Sequence, residues 1–186
     1  IPLESLAGET DAYKVVANLP YYAASLIVRR FLEAENKPTL MVVLVQKEVA
    51  QNMTASPGKM GLLSVATQLY GNPRIVASVP PSAFRPAPKV TSAIVRIEVY
   101  PDPSLKLDSV DGFFELVRAG FSSRRKQVHN SLRNALSLSS EAVLKMLAHA
   151  EIDARRRPGT LSLEEWGRLY ETWSALDVVP TNSRVP

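Results

Sequence analysis

The strongest constraint on the fold is the order strand, helix, strand near the beginning of the sequence. Residues 13–17 form a short β-branched run that indicates a strand, and residues 23–34 carry apolar side chains at helical spacing. Residues 39–46 are almost wholly apolar, which is typical of a strand covered on both faces of its sheet. Two strands joined by a crossover helix pair in parallel, so we predict an α/β fold.

After this unit the sequence continues with helices and strands and then changes to helices alone. We predict helices over residues 47–53 and 61–70, strands over 74–79 and 90–100, and then helices over 110–121, 124–136, 141–149 and 162–175. Ser162 and Glu165 have the spacing of a capping box at the start of the last helix. Because the change follows two closely spaced prolines, we predict one domain over residues 1–103 and an all-helical domain over residues 104–186.

The strand over residues 13–17 presents a problem for such a sheet. Nothing before it in the sequence would pair with its other edge, and an open edge of this kind invites aggregation. Either an unconventional fold covers the edge or the chain lacks its beginning. We favour the second explanation and expect the chain to be part of a longer protein.

Composition excludes several classes of function. The sequence has no cysteine, which removes disulfides, thiolate zinc sites and cysteine nucleophiles and fits a reducing compartment. With only His129 and His149, a histidine-based metal site is not expected, and although carboxylates leave a metal open we assign no metal ligands. No apolar run approaches the roughly 18–20 residues that span a bilayer, so we expect a soluble protein with no membrane partner. The net charge of +4 favours a polyanionic partner only weakly, and its densest point is Arg124-Arg125-Lys126.

The sharpest chemical signal is the tetrapeptide Asn18-Leu19-Pro20-Tyr21, at the carboxyl end of the first predicted strand. Ligands bind at that end in open α/β sheets, although Asn and Pro are also common in ordinary turns. The functional interpretation is methylation of an amino group such as the exocyclic nitrogen of adenine. An Asn side-chain oxygen and a backbone carbonyl can accept its N–H bonds, Pro stiffens the turn, and Tyr offers a stacking surface.

Three segments, in the right order and covering nearly the whole chain, resemble the rRNA adenine N6-dimethyltransferase family, the small-subunit enzymes tied to kasugamycin sensitivity. Residues 15–22 are similar to the fourth methyltransferase motif of that family, and residues 80–96 are similar to its eighth. Residues 121–132 are similar to its signature in the helical domain. The resemblance implies the C-terminal part of a Rossmann-like class I methyltransferase sheet, followed by a small helical domain that binds rRNA.

The resemblance also implies roles for individual residues around an adenine that is flipped into a pocket. Asn18 and Pro20 would hold the amino group, within a motif that Leu19 completes. Tyr21 would stack on one face of the base and Phe84 on the other, although a lone Phe in a proline-rich loop more often fills a hydrophobic gap. Asn18 would also contact the cofactor, S-adenosylmethionine.

One part of the family pattern is not found in this sequence. The family binds S-adenosylmethionine on a glycine-rich first turn and on acidic residues that end its second and third strands. Three β/α units of roughly 30 residues each would place about 90 residues upstream of this chain. We therefore expect the chain to hold the target-adenine side of a methyltransferase and to be inactive alone.

In the helical domain the resemblance implies contacts with rRNA phosphates from a set of basic and polar side chains. The set is Arg118, Arg124, Arg125, Lys126, Asn130 and Arg133. The alternative is a solvated helix face, which is the usual meaning of a run of charges. His129 is expected to face RNA or solvent, His149 is expected to be structural, and the run Arg155-Arg156-Arg157 is assigned no function.

The function that the resemblance predicts is S-adenosylmethionine-dependent dimethylation of two adjacent adenines in small-subunit rRNA, on a pre-30S-type ribosomal particle, by a cytoplasmic monomer. A second candidate is the related large-subunit rRNA methyltransferase that confers macrolide resistance. Residues 89–95 and the region around Arg124 resemble the small-subunit enzymes more closely. A third candidate is a non-catalytic RNA-binding or ribosome-assembly module, in which a missing cofactor half would be expected.

Overall fold

The computed structural model describes residues 12–175, which form two compact units. The sheet unit comprises residues 12–55 and 63–104, and the helical unit comprises residues 56–62 and 105–175. The sequence predicts a contiguous first domain, whereas the structure groups residues 56–62 with the helices. In this segment the amides of Gly58 and Met60 donate to the carbonyl oxygen of Gly159, at 2.8 and 3.1 Å.

The sheet unit has four strands and three helices. In chain order they are β1 (Lys14–Asn18), α1 (Ala24–Leu32), β2 (Leu40–Gln46), α2 (Lys47–Met53), α3 (Leu62–Tyr70), β3 (Gly71–Val79) and β4 (Ser92–Val99). The strand order across the sheet is β1-β2-β4-β3. β1 and β2 are parallel, as the strand-helix-strand pattern predicts, and β4 is antiparallel to both β2 and β3. The carboxyl ends of β1, β2 and β3 therefore share one edge of the sheet with the amino end of β4, and we call this the carboxyl edge.

The core of the sheet unit is built from the central strands. Met41, Val43 and Val45 on β2 are fully buried, and each lies directly opposite a fully buried residue of β4. The alternate β2 residues are only half-buried in the described structure. The expectation that this strand is covered on both faces is thus met on one face only among residues 12–175.

β1 is one of the two edge strands of the sheet, and its side chains are exposed or half-buried. Val16 is 81% exposed, and among the described residues no strand pairs with the outer side of β1. Tyr22 and Leu26, in and after the turn that follows β1, are exposed by 95% and 71%. Exposed apolar side chains thus occur on β1, in the turn that follows it and on α1.

The helical unit packs four helices around aromatic side chains. They are α4 (Val110–Phe121), α5 (Val128–Ala135), α6 (Ser140–His149) and α7 (Leu163–Ser174). Phe113 and Trp166 are fully buried, and a Cβ atom on Gly120 would lie 2.3 Å from the Trp166 ring, so only glycine permits this approach. The predicted capping box is confirmed: the Glu165 amide donates to Ser162 Oγ at 3.2 Å, and the Ser162 amide donates to Glu165 Oε2 at 2.7 Å.

The predicted helix over residues 124–136 begins too early. The Lys126 amide donates to the carbonyl oxygen of Ser123 at 2.8 Å, which closes a turn, and α5 starts only at Val128. The Val128 amide donates to the carbonyl oxygen of Arg156 at 2.8 Å. A residue distant in sequence therefore fixes the start of α5, and local propensity does not report it.

No helix within residues 12–175 has the length and apolar character needed to cross a membrane.

Candidate functional site

The turn formed by Asn18, Leu19, Pro20 and Tyr21, which we call the Asn-Leu-Pro-Tyr turn, lies at the carboxyl edge. Asn18 ends β1 opposite Leu44 of β2, and the Leu19 amide donates to the Leu44 carbonyl oxygen at 3.2 Å. The carbonyl oxygen of Pro20 then accepts from the Ala23 amide at 3.0 Å, which leads the chain into α1.

Burial alternates along this turn. Leu19 is only 7% exposed, whereas Asn18 and Pro20 are exposed and Tyr21 is half-buried. The buried Leu19 side chain holds the turn to the sheet unit by apolar contact. The amide of Asn18 is left accessible on a backbone that is fixed on both sides.

The turn also offers backbone acceptors. A carbonyl oxygen has two lone pairs, and that of Pro20 uses one of them for the Ala23 amide. Within residues 12–175 no described hydrogen bond engages the carbonyl oxygen of Leu19. An amino group at this position could therefore meet the Asn18 side-chain oxygen and a main-chain oxygen of the same turn.

The hydroxyl group of Tyr21 is hydrogen-bonded to that of Ser92, with 2.6 Å between Oη and Oγ. Ser92 is the first residue of β4 and is fully buried. This contact joins the Asn-Leu-Pro-Tyr turn to the segment that follows the Phe84 loop. The sequence alone indicates no role for Ser92, because the contact spans 71 residues and depends on the strand order.

Phe84 lies in the loop between β3 and β4, which starts and ends at the carboxyl edge. Its amide donates to the carbonyl oxygen of Pro81 at 3.1 Å, at the end of a short 3-10 turn over Pro81–Ala83. The side chain is half-buried and makes no aromatic pair with another described residue. The structure thus places Phe84 and Tyr21 on loops of the same sheet edge.

An open cavity of about 280 Å³ lies at the same edge. It is lined by Gln46, Lys47, Glu48, Gln51, Val90 and Thr91. The Lys47 amide donates to the Thr91 carbonyl oxygen at 3.0 Å, so the start of α2 and the residue before Ser92 are joined beside the cavity. Val90 and Thr91 belong to the segment 80–96 that resembles the eighth family motif, but the sequence assigns no role to any of the six lining residues.

The predicted basic set is concentrated on residues 122–127 of the helical unit, which we call the basic turn. Arg124, Arg125 and Lys126 are exposed, and none of the ion pairs found among residues 12–175 involves them. These three residues lie on a turn and not on a helix, and they are exposed, as both phosphate contact and a solvated surface require. A Cβ atom on Gly61 would lie 3.1 Å from Nη2 of Arg124, so the guanidinium group rests against this glycine.

The other members of the basic set lie on the helices that flank the turn. Arg118 is exposed in the last turn of α4, and Arg133 is exposed on α5, where its Nε donates to Asn134 Oδ1 at 3.3 Å. Asn130 is half-buried and donates to Gln127 Oε1 at 3.4 Å.

The second arginine run has a different environment. Arg156 forms two hydrogen bonds with the Glu165 carboxylate, one of them at 2.9 Å, and also donates to Thr160. The hydrogen bond from Arg156 lowers the pKa of Glu165, and the amide of Ser162 lowers it further, against the opposing effect of burial. Arg155 pairs with Asp153 at 3.4 Å. The middle arginine of this run is therefore a structural clamp.

Both histidines contact neighbours within the helical unit. Nε2 of His129 lies 3.0 Å from Ser140 Oγ, and Nδ1 of His149 lies 2.8 Å from the carbonyl oxygen of Lys145. Among residues 12–175 no three His, Cys, Asp or Glu side chains are grouped closely enough to hold a metal ion.

Comparison with known proteins decides the family. The model of the family described as Ribosomal RNA adenine dimethylase matches residues 3–174. The chain belongs to this family. A Ribosomal RNA small subunit methyltransferase A of Dehalococcoides mccartyi is 51% identical over 168 residues, covering 90% of this chain and 57% of that protein. A protein of the same name from Alkaliphilus metalliredigens is 46% identical over 170 residues, covering 90% of this chain and 59% of the relative.

Solved structures agree with the Rossmann-like α/β fold of this Ribosomal RNA adenine dimethylase family member. The 23S rRNA methyltransferase ErmE is similar with a TM-score of 0.68 and 26% identity, covering 94% of this chain and 71% of that chain. A dimethyladenosine transferase from Plasmodium falciparum has a TM-score of 0.76 and 23% identity, covering 88% and 67%, and supports the fold alone. The predicted fold class and family are thus confirmed. The chain spans a little over half the length of the curated relatives it matches.

Proposed function

We propose that the protein to which this chain belongs dimethylates the exocyclic N6 of two adjacent adenines in small-subunit rRNA, with S-adenosylmethionine as the methyl donor, as a step in ribosome biogenesis. The observation that carries the proposal is the Asn-Leu-Pro-Tyr turn, fixed at the carboxyl edge of the sheet in a member of the rRNA adenine dimethylase family. Identity of 51% to a small-subunit methyltransferase, against 26% to the large-subunit enzyme ErmE, favours the small subunit as the source of the adenines.

Asn18 is the residue that we assign to the amino group. The N6 nitrogen of adenine is a poor nucleophile because its lone pair is delocalised into the ring. When the Asn18 side-chain oxygen and a main-chain oxygen of the turn each accept one N–H, the lone pair of N6 is directed away from both. We assign the main-chain role to the carbonyl oxygen of Leu19, because the carbonyl oxygen of Pro20 already accepts a hydrogen bond from the Ala23 amide.

Tyr21 and Phe84 are assigned to the faces of the flipped base. Both side chains are half-buried, and both belong to loops of the carboxyl edge. Stacking on aromatic rings repays part of the free energy lost when the base leaves its helix. Catalysis by these residues is therefore mainly positioning, which needs neither a covalent intermediate nor a strong base.

Asn18 is the one residue of this chain that we assign to S-adenosylmethionine. Its side chain is exposed at the end of β1, and no strand pairs with the outer side of β1 among the described residues. When bound, this cofactor would supply a methyl group activated as a sulfonium, and N6 would give up one proton to solvent for each methyl group that it gains. Asn18 would hold the amino nitrogen toward that group.

Binding of the RNA is assigned to the helical unit. Arg118, Arg124, Arg125, Lys126, Asn130 and Arg133 present cations and amides on α4, the basic turn and α5. Exposed cations without carboxylate partners are available for phosphate, and each phosphate contact releases counterions. A monomeric state and a cytoplasmic location remain predictions, as does a pre-30S-type particle as the natural substrate.

The direct test is methyl transfer by the full-length protein from radiolabelled S-adenosylmethionine. The substrates are small and large ribosomal subunits, each isolated in an unmethylated form, followed by mapping of the labelled nucleotides. Label on paired N6,N6-dimethyladenines of the small-subunit rRNA is the expected result. Label on the large subunit would support the macrolide-resistance type, and binding without transfer would support an assembly module.

A further inference from the structure

We infer that Ser92 is a positioning residue for Tyr21: the Ser92 hydroxyl group fixes the tilt of the aromatic ring on which the target adenine stacks. The inference rests on the proposed function and adds a residue to that site. Its basis is the 2.6 Å hydrogen bond between Tyr21 Oη and Ser92 Oγ. Such a distance is at the short end of hydroxyl-to-hydroxyl bonds, so the two groups are in direct contact with no water between them.

Ser92 differs from the other buried hydroxyl residues of the described chain. Ser64, Thr67 and Ser131 donate to main-chain carbonyl oxygens of their own units, at 2.7, 2.8 and 3.3 Å. In each of those bonds the acceptor is a main-chain carbonyl oxygen and not a side chain. Ser92 is hydrogen-bonded instead to another side chain, and that side chain belongs to the Asn-Leu-Pro-Tyr turn.

The Ser92 hydroxyl group sits on a rigid support. Ser92 pairs with Gln46 of β2 on one side and with Val79 of β3 on the other. The residue before it, Thr91, accepts a hydrogen bond from the Lys47 amide. The position of Oγ is therefore set by both neighbouring strands and by the start of α2.

Tyr21 is held at two points as a result. Its backbone follows a turn fixed by the Leu19 amide and the Pro20 carbonyl oxygen, and its hydroxyl group is fixed by Ser92. A tyrosine ring rotates about two bonds, and offset stacking depends on the plane that the ring presents. Loss of the Ser92 hydroxyl would free the far end of the ring without altering the backbone of the turn.

The kinetic consequence follows from where the RNA is bound. Phosphate contacts supply most of the affinity for nucleic acid, whereas Tyr21 acts on the base to be methylated. A loosened ring should therefore lower the rate of methyl transfer and leave the affinity for RNA nearly unchanged. A role for Ser92 in folding alone would instead lower stability and leave the rate per folded molecule intact.

The experiment uses the full-length protein with Ser92→Ala, Ser92→Thr, Tyr21→Phe and the Ser92→Ala/Tyr21→Phe double variant. Ser64→Ala is the matched control, because it removes another fully buried serine hydroxyl from the same unit. We expect Ser92→Ala to lower the single-turnover rate on unmethylated small subunits by about tenfold, which is about 1.4 kcal/mol. We expect Ser92→Thr to recover most of that loss and the double variant to be no slower than the slower single variant, since both changes remove one bond. RNA affinity should stay within about twofold throughout, and Ser64→Ala should keep the wild-type rate.

A second measurement reports the ring without any catalysis. Protein labelled with fluorotyrosine gives a fluorine resonance for Tyr21, identified by its absence in Tyr21→Phe. We expect Ser92→Ala to shift and broaden this resonance and Ser64→Ala to leave it in place. An active wild type with a Ser92→Ala variant that matches Ser64→Ala in rate and resonance would overturn the inference alone. A wild type that transfers no methyl group would overturn the proposed function, and the stacking role of Tyr21 with it.

Discussion

The Asn-Leu-Pro-Tyr turn and the basic turn are both exposed loops, yet the structure builds them in opposite ways. In the first, the Leu19 amide donates to Leu44, the Pro20 carbonyl oxygen accepts from Ala23, and the Tyr21 hydroxyl group is hydrogen-bonded to Ser92. In the second, main-chain hydrogen bonds such as that from the Lys126 amide to the Ser123 carbonyl oxygen fix the backbone, whereas its three consecutive cations have no carboxylate partner among the described residues.

This difference separates two physical requirements. Holding one nitrogen in line with a methyl donor depends on geometry, and hydrogen bonds between uncharged groups are enough to fix it. Holding a polyanion depends on charge, which acts at longer range and tolerates movement of the side chains. We therefore expect substitutions in the first turn to change the reaction rate and substitutions in the second to change affinity and its salt dependence.

The largest effect is expected at Asn18. Asn18→Ala removes an acceptor from the amino group and should lower methylation by about 100-fold or more, with RNA affinity and unfolding nearly unchanged. Asn36→Ala, at another exposed asparagine of the sheet unit, is the control and should keep the wild-type rate. The measurement is single-turnover methylation beside RNA binding. A loss smaller than about tenfold, or about 1.4 kcal/mol of barrier, would show that Asn18 does not hold the amine.

The second largest effect is expected at the basic turn, when Arg124, Arg125 and Lys126 are replaced together by Gln. The slope of log affinity against log salt should flatten by about 2–3 units if all three residues contact phosphate. Saturating RNA should restore much of the methylation rate, because the Asn18 turn is untouched. The measurement is a salt titration of rRNA binding beside single-turnover methylation.

The control for this variant is Arg155→Gln with Arg157→Gln, which removes exposed cations from the same unit at a run with no assigned function. Its salt slope should stay close to that of the wild type. If the triple variant and the control have equal slopes, the basic turn has no special part in phosphate binding.

A structural feature of this molecule is predictable from the sequence when the residues that determine it are close together in the chain. The capping box at Ser162 was predictable because both partners lie within four residues. β2 was predicted to within one residue by its apolar run. β3, in contrast, begins at Gly71 and includes Pro73, which an edge strand tolerates, although Gly-Asn-Pro indicates a turn from the sequence alone.

The site shows the same limit. The Asn-Leu-Pro-Tyr turn was predictable, because its strand, its position at the carboxyl end and its residue types are contiguous in sequence. The Ser92 contact was not, because it requires β4 to lie beside β2 with its amino end at the carboxyl edge. The start of α5 was missed because the Val128 amide bonds to Arg156, far along the chain.

A third and smaller effect is expected at Phe84. Stacking of a base on an aromatic ring is worth roughly 1–3 kcal/mol, so Phe84→Ala should weaken productive binding of the flipped adenine accordingly. Phe84→Tyr and Phe84→Trp keep a ring face and should retain much of the activity. The measurement is the single-turnover rate against RNA concentration for all three variants. Equal losses would indicate that Phe84 fills a gap and does not stack on the base.

The smallest effect is expected at a paired charge of the helical unit. Glu165 is hydrogen-bonded by Arg156, which lowers its pKa, whereas the cations of the basic turn have no such partner. Glu165→Gln should destabilise the helical unit by about 1–3 kcal/mol at neutral pH, because a charge-assisted pair is lost. The exposed Glu171, on the same helix, provides the control Glu171→Gln, which should have little effect.

The pH dependence gives the sign of this contribution. A carboxyl group whose pKa is lower in the folded state stabilises the fold above its unfolded pKa of about 4.3, and this stabilisation is lost as the pH falls through the lower, folded value. The difference in urea midpoint between wild type and Glu165→Gln should therefore be largest near neutral pH and shrink in acid. Tryptophan fluorescence follows the transition, because Trp166 and Trp173 both lie on α7. If this difference in urea midpoint stays constant from neutral pH into acid, the Glu165 side chain stabilises the fold by packing and not by its charge. The Arg156–Glu165 pair would then not differ from the basic turn through the pairing of its charges.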